Sequence, residues 1–192
     1  MPVDYCQGNC GVRAAIRECR PEDIPGLIEG LASLSFESRI ARFFYDKKAF
    51  SPEELKRLTL PGDENQQARV AVICDGIRDG QIVGLARCVR VAVTAPLADV
   101  GVVVAERWRR CGLGTQLITE LRDAALRVGI THWRADFFAH NLGTEKLLCR
   151  AGLEERREPL GGGIVRATAK LAPGDNGAGQ RSPPGRSTYS PG

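Results

Sequence analysis

Apolar positions along the chain follow two periods, and the change from one to the other over residues 98–120 organises the rest. Val100, Val102, Val103 and Val104 form a nearly unbroken β-branched run, as a strand covered on both faces requires. Past a turn at 109–114, Leu113, Leu117, Ile118, Leu121, Ala124, Ala125 and Val128 recur at 3.6-residue spacing, with Glu120, Arg122 and Asp123 between them. That spacing predicts an amphipathic helix. Further strands are predicted over 12–19, 70–74, 81–91, 130–138 and 164–171. The turn Asp75-Gly76-Ile77-Arg78-Asp79-Gly80 joins 70–74 to 81–91 as an antiparallel hairpin.

Helix signals fill the gaps. Acids behind Pro21 start a helix that carries Leu27, Ile28, Leu31 and Leu34. Ser35 and Ser38 are candidate caps of a second helix reaching Phe44, and a third starts at Ser51, with Pro52 first and Glu53 and Glu54 behind it. Gly129 ends the long helix. After Asn141 a last helix puts Leu142, Leu147 and Leu148 on one side and closes at Ala151-Gly152-Leu153. Residues 1–10 are polar and read as loose, and 11–172 as one domain. Residues 173–192, rich in Pro, Gly, Ser and Asn, read as a disordered tail.

Composition narrows the class. Of the 192 residues, 43% are hydrophobic and 26% charged, which is globular, and the length allows one domain with a sizeable core. A net charge of +4 with no long Lys/Arg block argues against nucleic acid. No apolar run approaches the ~20 residues of a membrane span, and the first residues lack the basic and apolar regions of a signal peptide. The seven cysteines are odd in number and scattered, fit no disulfide framework, and point to a reducing, cytoplasmic compartment. Cys6 and Cys10 with His132 or His140 lack the spacing of a metal site, so none is expected.

The candidate chemistry lies in the turn. A helix opening on glycines beside arginines presents unpaired N–H groups and the positive end of its dipole to an anion, most often phosphate. A dinucleotide fingerprint needs a third glycine where Leu117 stands, and a Walker-type loop needs Lys-Ser/Thr where Thr115 and Gln116 follow Gly114. Arg109-x-x-Gly112-x-Gly114 after a buried strand instead resembles the pyrophosphate loop of the GNAT N-acetyltransferases. The plainer alternative is an ordinary glycine-capped strand–helix turn. Residues 16–25 resemble the strand–turn–helix opening of GNAT domains, so that the resemblance spans about 11–171. Within the superfamily, Leu34-Ser-x-Glu37-Ser38-x-x-x-Arg42-Phe43-Phe44 and Ser51-x-x-Glu54-Leu55-x-Arg57-Leu58-Thr59 resemble bacterial Pat-type protein lysine acetyltransferases.

This resemblance implies an α/β (α+β) fold: a single GNAT-type domain whose mixed, mostly antiparallel sheet has a parallel splayed strand pair and helices on both faces. It implies acetyl-CoA as co-substrate and a primary amine, a protein lysine, as acceptor. A small amine or amino acid is the alternative acceptor, and an acetyl-CoA sensor with little catalysis the alternative function. No nucleic acid or membrane partner is implied, and a homodimer is left open. Backbone groups of Val102, Val103 and Val104 would pair with pantetheine, and main-chain N–H groups of Arg109, Arg110, Cys111, Gly112, Leu113, Gly114 and Thr115 would hold the pyrophosphate. Asn141 matches an asparagine that contacts the cofactor arm, or else caps the next helix. Asp99 falls where Pat-like enzymes carry a glutamate base; being a methylene shorter, it favours a relaying water, and the alternative is a solvated charge at a strand edge. Glu106, whose place at the strand–turn junction suggests a surface role, and His140, otherwise a solvent-facing turn residue, are alternative bases. The tyrosine acid of many GNAT enzymes is replaced by Leu148, and Cys149 is expected to pack in its helix. Cys111, at a helix N-terminus between arginines, is expected to be a reactive thiol with its pKa below the free value of about 8.5, or else a tolerated small residue pointing into the protein.

Overall fold

A computed structural model describes residues 5–7, 11, 13–150 and 156–172. Eight strands form one sheet in the order β1 (Tyr5–Gln7), β2 (Arg13–Glu18), β3 (Gln66–Ile73), β4 (Ile82–Arg90), β5 (Leu97–Val104), β6 (His132–Phe138), β8 (Ile164–Lys170), β7 (Arg156–Gly161). All neighbours are antiparallel except β5 and β6. That one parallel pair needs a crossover, and α4 (Leu113–Arg127) supplies it.

The two faces of the sheet bury different helices. Leu113, Leu117, Ile118 and Leu121 of α4 pack with Ala71, Ala86, Cys88, Trp133 and Ala167, and Leu148 of α5 (Leu142–Arg150) joins them. Trp133, Leu117, Ile118, Leu121 and Ile130 are almost wholly removed from water; each such side chain contributes on the order of 1.5–3 kcal/mol. On the opposite face Leu27 of α1 (Ile24–Ser33) and Leu58 of α3 (Pro52–Leu58) cover Val70, Val72 and Ile82. Between them α2 (Phe36–Phe43) lies against β5 and β6. The fold is thus the single mixed-sheet domain with helices on both faces that the resemblance implies.

Local signals set the helix starts. Ser35 accepts from the Ser38 N–H as the cap of α2, whereas Ser38 is buried and used elsewhere. Ser51 and Glu54 of α3 satisfy each other's backbone N–H groups as a capping box. Three strand boundaries differ from the pattern. β3 begins at Gln66 because Gln66, Gln67 and Arg69 are buried with their polar ends bonded to backbone carbonyls of Arg57, Asp63 and Ala68. β1 and β7 are edge strands too short or too polar to show a period, and Tyr5–Gln7 pairs with Arg13–Ala15 inside the segment read as loose. The expected tail at 173–192 and the helix closure at Ala151-Gly152-Leu153 lie outside the described residues. No described helix is long and apolar enough to cross a membrane.

Candidate active site

β5 is built to part from β6. It pairs with β4 from Ala98 to Val104, but with β6 only at Leu97↔His132, Ala98↔Trp133 and Asp99↔Arg134. From Val100 onward one edge of β5 therefore lacks a strand partner in the middle of the sheet. Backbone N–H and C=O groups there need a ligand or water. Val102 and Val104 pack toward α4, and Val103 lines a narrow apolar cavity of about 40 Å³ with Leu27, Leu31 and Leu85 on the other face. Its unpaired backbone groups are those an extended chain would need to join as an added strand.

The glycine turn closes one end of this slot. After a 3-10 turn at Glu106–Trp108, Arg110 and Gly112 both adopt positive φ, 62° and 87°. These reversals on either side of Cys111 curl main-chain amides around a concavity that suits an anion. No side chain caps α4, so the amides of Leu113, Gly114 and Thr115 stay open to a ligand. The two glycines serve different ends. Gly112 has open space around it and is needed for its left-handed backbone, whereas a Cβ on Gly114 would press Leu147 Cδ2 at 3.3 Å, so its smallness lets α5 approach α4.

Arg109 turns away from the concavity. Its guanidinium donates to Val104 O at 3.1 Å and Ser38 Oγ at 2.6 Å, and Ser38 in turn donates to Glu106. Glu106 also accepts from the Ser35 N–H at 3.0 Å. Burial alone would raise the Glu106 carboxyl, but these bonds outweigh it and hold it down at about 2. It is a strut between the turn and α2, with little basicity to offer near neutral pH. Cys111 departs from expectation as well: it is buried and disulfide-bonded, so it is not the reactive thiol that its place between arginines suggested. The scattered spacing of the cysteines concealed that bond.

The remaining candidates lie at the last β5–β6 rung, after β6 and on α5. Asp99 is exposed at the last paired position and is gripped by Arg134 at 2.6 and 2.9 Å. Asp136 and Arg166 form an equivalent pair beside it, at 2.7 Å through both donors. Asn141 Oδ1 accepts from Thr144 N at 3.1 Å and caps α5, one of the two roles expected of it. His140 is exposed and stacks on Phe138 at 5.4 Å, and Phe138 meets Phe44 at 5.4 Å. Phe44 holds a left-handed φ of 64° at the end of α2, an uncommon conformation for an aromatic residue. Leu148 is 2% exposed in the core and offers no acid. Cys149 is partly exposed and lies 3.3 Å from Arg157 Nη2.

Periodicity could not reveal one further residue. Arg42, in the last turn of α2, lays its guanidinium over Gly101 of β5, where any Cβ would clash with it. Its signals in the sequence are its place in the Pat-like motif at 34–44 and a cation on an otherwise apolar stretch, Ile40 to Phe44, neither of which says what it touches.

No curated protein matches the sequence. Solved structures do resemble the fold. The GNAT domain of PAT from S. lividans superposes with a TM-score of 0.77 at 21% identity, over 88% of this chain and 97% of that one. A putative acetyltransferase, yncA, from Salmonella typhimurium with its cofactor acetyl-CoA gives 0.63 at 16% identity, over 86% and 96%. For the cAMP-binding acyltransferase of Mycobacterium smegmatis the TM-score is 0.61 at 20% identity; 90% of this chain is covered, but it spans only 48% of that one. The acetyltransferase (GNAT) family profile matches residues 35–153, more than half of the chain and all of the slot, the glycine turn and α4. With strand splay, turn and profile coinciding on the same residues, the chain belongs to the GNAT acetyltransferase family.

Proposed function

We propose that this GNAT acetyltransferase transfers acetyl from acetyl-CoA to a primary amine, a protein lysine, by direct attack within a ternary complex. The observation that carries this reading is the loss of β6 pairing after Asp99, beside a helix whose first amides are uncapped. Pantetheine pairs as an added strand with the backbone of Val102, Val103 and Val104. Pyrophosphate takes the amides from Arg109 to Thr115, and Asn141 contacts the arm while capping α5. A β5 N–H polarises the thioester carbonyl and stabilises the oxyanion that forms there.

The acceptor nitrogen sheds its proton before attack, since a free lysine has a pKa of about 10.4. Asp99 takes that proton through a water; its ion pair with Arg134 fixes the carboxylate at the mouth of the slot. The new C–N bond forms as the C–S bond breaks; the nitrogen passes its second proton to water, and water protonates the departing thiolate, since Leu148 supplies no hydroxyl. The resemblance of residues 34–44 and 51–59 to Pat-type protein lysine acetyltransferases supports lysine as the acceptor. Calorimetry with acetyl-CoA, followed by thiol release with lysine peptides, tests this. Tight binding without acceptor-dependent release indicates a sensor, and release with free amines alone indicates a small-molecule enzyme.

A further inference from the structure

The acceptor side of the slot carries positive charge that the protein leaves unanswered. Arg42 rests on Gly101, two residues past the last β5–β6 pair. Its side chain keeps some exposed surface while the guanidinium end is enclosed. Its guanidinium lies 5.1 Å from the ring of its neighbour Phe43 and is near enough to a second guanidinium, Arg87, to be repelled by it. Arg87 stands opposite Gly101 in the β4–β5 register and is fixed by Gln66 Oε1, 3.0 Å from its Nε. Burial first, and then Arg87, lowers the Arg42 guanidinium to about 10.

The nearby carboxylate is already engaged. Glu54 receives Lys47 Nζ at 2.7 and 2.8 Å and also the Ser51 N–H at 2.8 Å. Lys47 is itself enclosed by Phe43, Tyr45 and Phe50. Asp99, two residues from Gly101 on β5, is held by Arg134. Among the described residues Arg42 therefore has no carboxylate of its own, although a charge in such surroundings is costly unless paired. Two guanidiniums gathered at Gly101, one laid over it and one opposite it in register, are suited to bind a carboxylate.

We propose that Arg42 and Arg87 form an anion subsite beside Gly101 that binds a carboxylate of the acceptor, close to the amine to be acetylated. This rests on the acetyltransfer reading. The carboxylate has two sources, an Asp or Glu side chain next to the target lysine of a protein, or the carboxylate of a free amino acid. In either case the chemistry recognised is an amine with a nearby carboxylate, and an amide in that place leaves the two guanidiniums unpaired.

The test uses the full chain, acetyl-CoA and matched acceptors: an end-blocked Glu-Lys peptide against its Gln-Lys counterpart, and a free amino acid against its amide. The acidic member is expected to show at least tenfold higher kcat/KM, expressed in KM. The pair that shows this larger effect identifies the source. Arg42→Met and Arg87→Met should bring that ratio toward one. Arg42→Met should not lower Tm, because it removes an unpaired charge; a merely structural arginine would lower it. Calorimetric binding of the peptide pair to the CoA-loaded protein should show the same preference whether or not thiol is released. Absence of release with every acceptor therefore overturns only the acetyltransfer reading. Equal binding and turnover of the acid and amide members overturns the subsite. So does an Arg42→Met protein that slows both members equally, which would place Arg42 on the thioester instead.

Discussion

Arg134 holds Asp99 through both of its donors, Nε at 2.6 Å and Nη2 at 2.9 Å, across the last rung of the parallel β5–β6 pair. The proposed base and the point at which the sheet opens are thus one structural unit. Asp99→Asn is expected to lower kcat on the order of 10²-fold or more near neutral pH, with acetyl-CoA affinity unchanged. The deficit should shrink at alkaline pH, where the acceptor amine is already neutral. Arg134→Gln, which frees the carboxylate without removing it, should cost less than Asp99→Asn. A rate within about twofold of wild type for Asp99→Asn would move the role to His140 or to solvent.

The two turn glycines predict separable defects. Gly112→Ala forces a Cβ into a left-handed conformation, costing about 1–2 kcal/mol, and should raise the acetyl-CoA dissociation constant at least tenfold in a folded protein. Gly114→Val should weaken binding by a similar factor, but it also presses on Leu147. Adding Leu147→Ala makes room for the new side chain. Affinity restored in the double variant assigns Gly114 to helix packing; affinity still lost assigns it to close approach of the ligand. Unchanged calorimetric affinity in both single variants sinks the pyrophosphate assignment.

Much of this site is local, and so it was legible in the chain. The β-branched run of β5, the glycine turn and the α4 period are contiguous and signal their own conformations. Partnerships fixed by register or tertiary packing had no such signal. Asp99 meets Arg134 because two strands separated by a whole helix align in parallel, and Arg42 meets Gly101 because α2 crosses the sheet at that point. Glu106 looked like a surface acid, yet two serines of a distant helix start define it. β7, with its charged and mostly exposed residues, has no apolar period to detect. Cys111 carried the right local setting for a thiolate, but a disulfide overrides local electrostatics.

Cysteine reactivity should follow burial and bonding. Cys74 and Cys149 are free and partly exposed, so they should be the first of the described thiols to react with iodoacetamide. Burial pushes Cys19 up to about 12 and Cys88 up to about 11, leaving almost no thiolate at neutral pH, and both should label only on unfolding. Cys111 should stay unlabelled until a reductant is added. Mass-spectrometric labelling rates with and without reductant check the order. Fast labelling of Cys111 in the unreduced protein contradicts it.

Glu106 gives the clearest dependence on pH. Its carboxyl sits at about 2 in the folded protein, against about 4.3 in an unfolded chain. A depressed acid stabilises the fold when ionised, so the contribution is complete above the unfolded value and is lost as pH falls toward the folded one. The bonds responsible join Ser35 and Ser38 at the start of α2 to the turn that carries Arg109. The side chain is 39% exposed, so screening by water keeps the effect modest. Glu106→Gln should lower Tm at pH 7, and the gap from wild type should begin to narrow near pH 4 and close by about pH 2. Loosening α2 from the turn should also raise KM for acetyl-CoA, because Ser38 and Arg109 lose their shared anchor. Thermal melts of both proteins across pH 2–7 decide the matter: a gap that stays constant over that range means that Glu106 is not the strut.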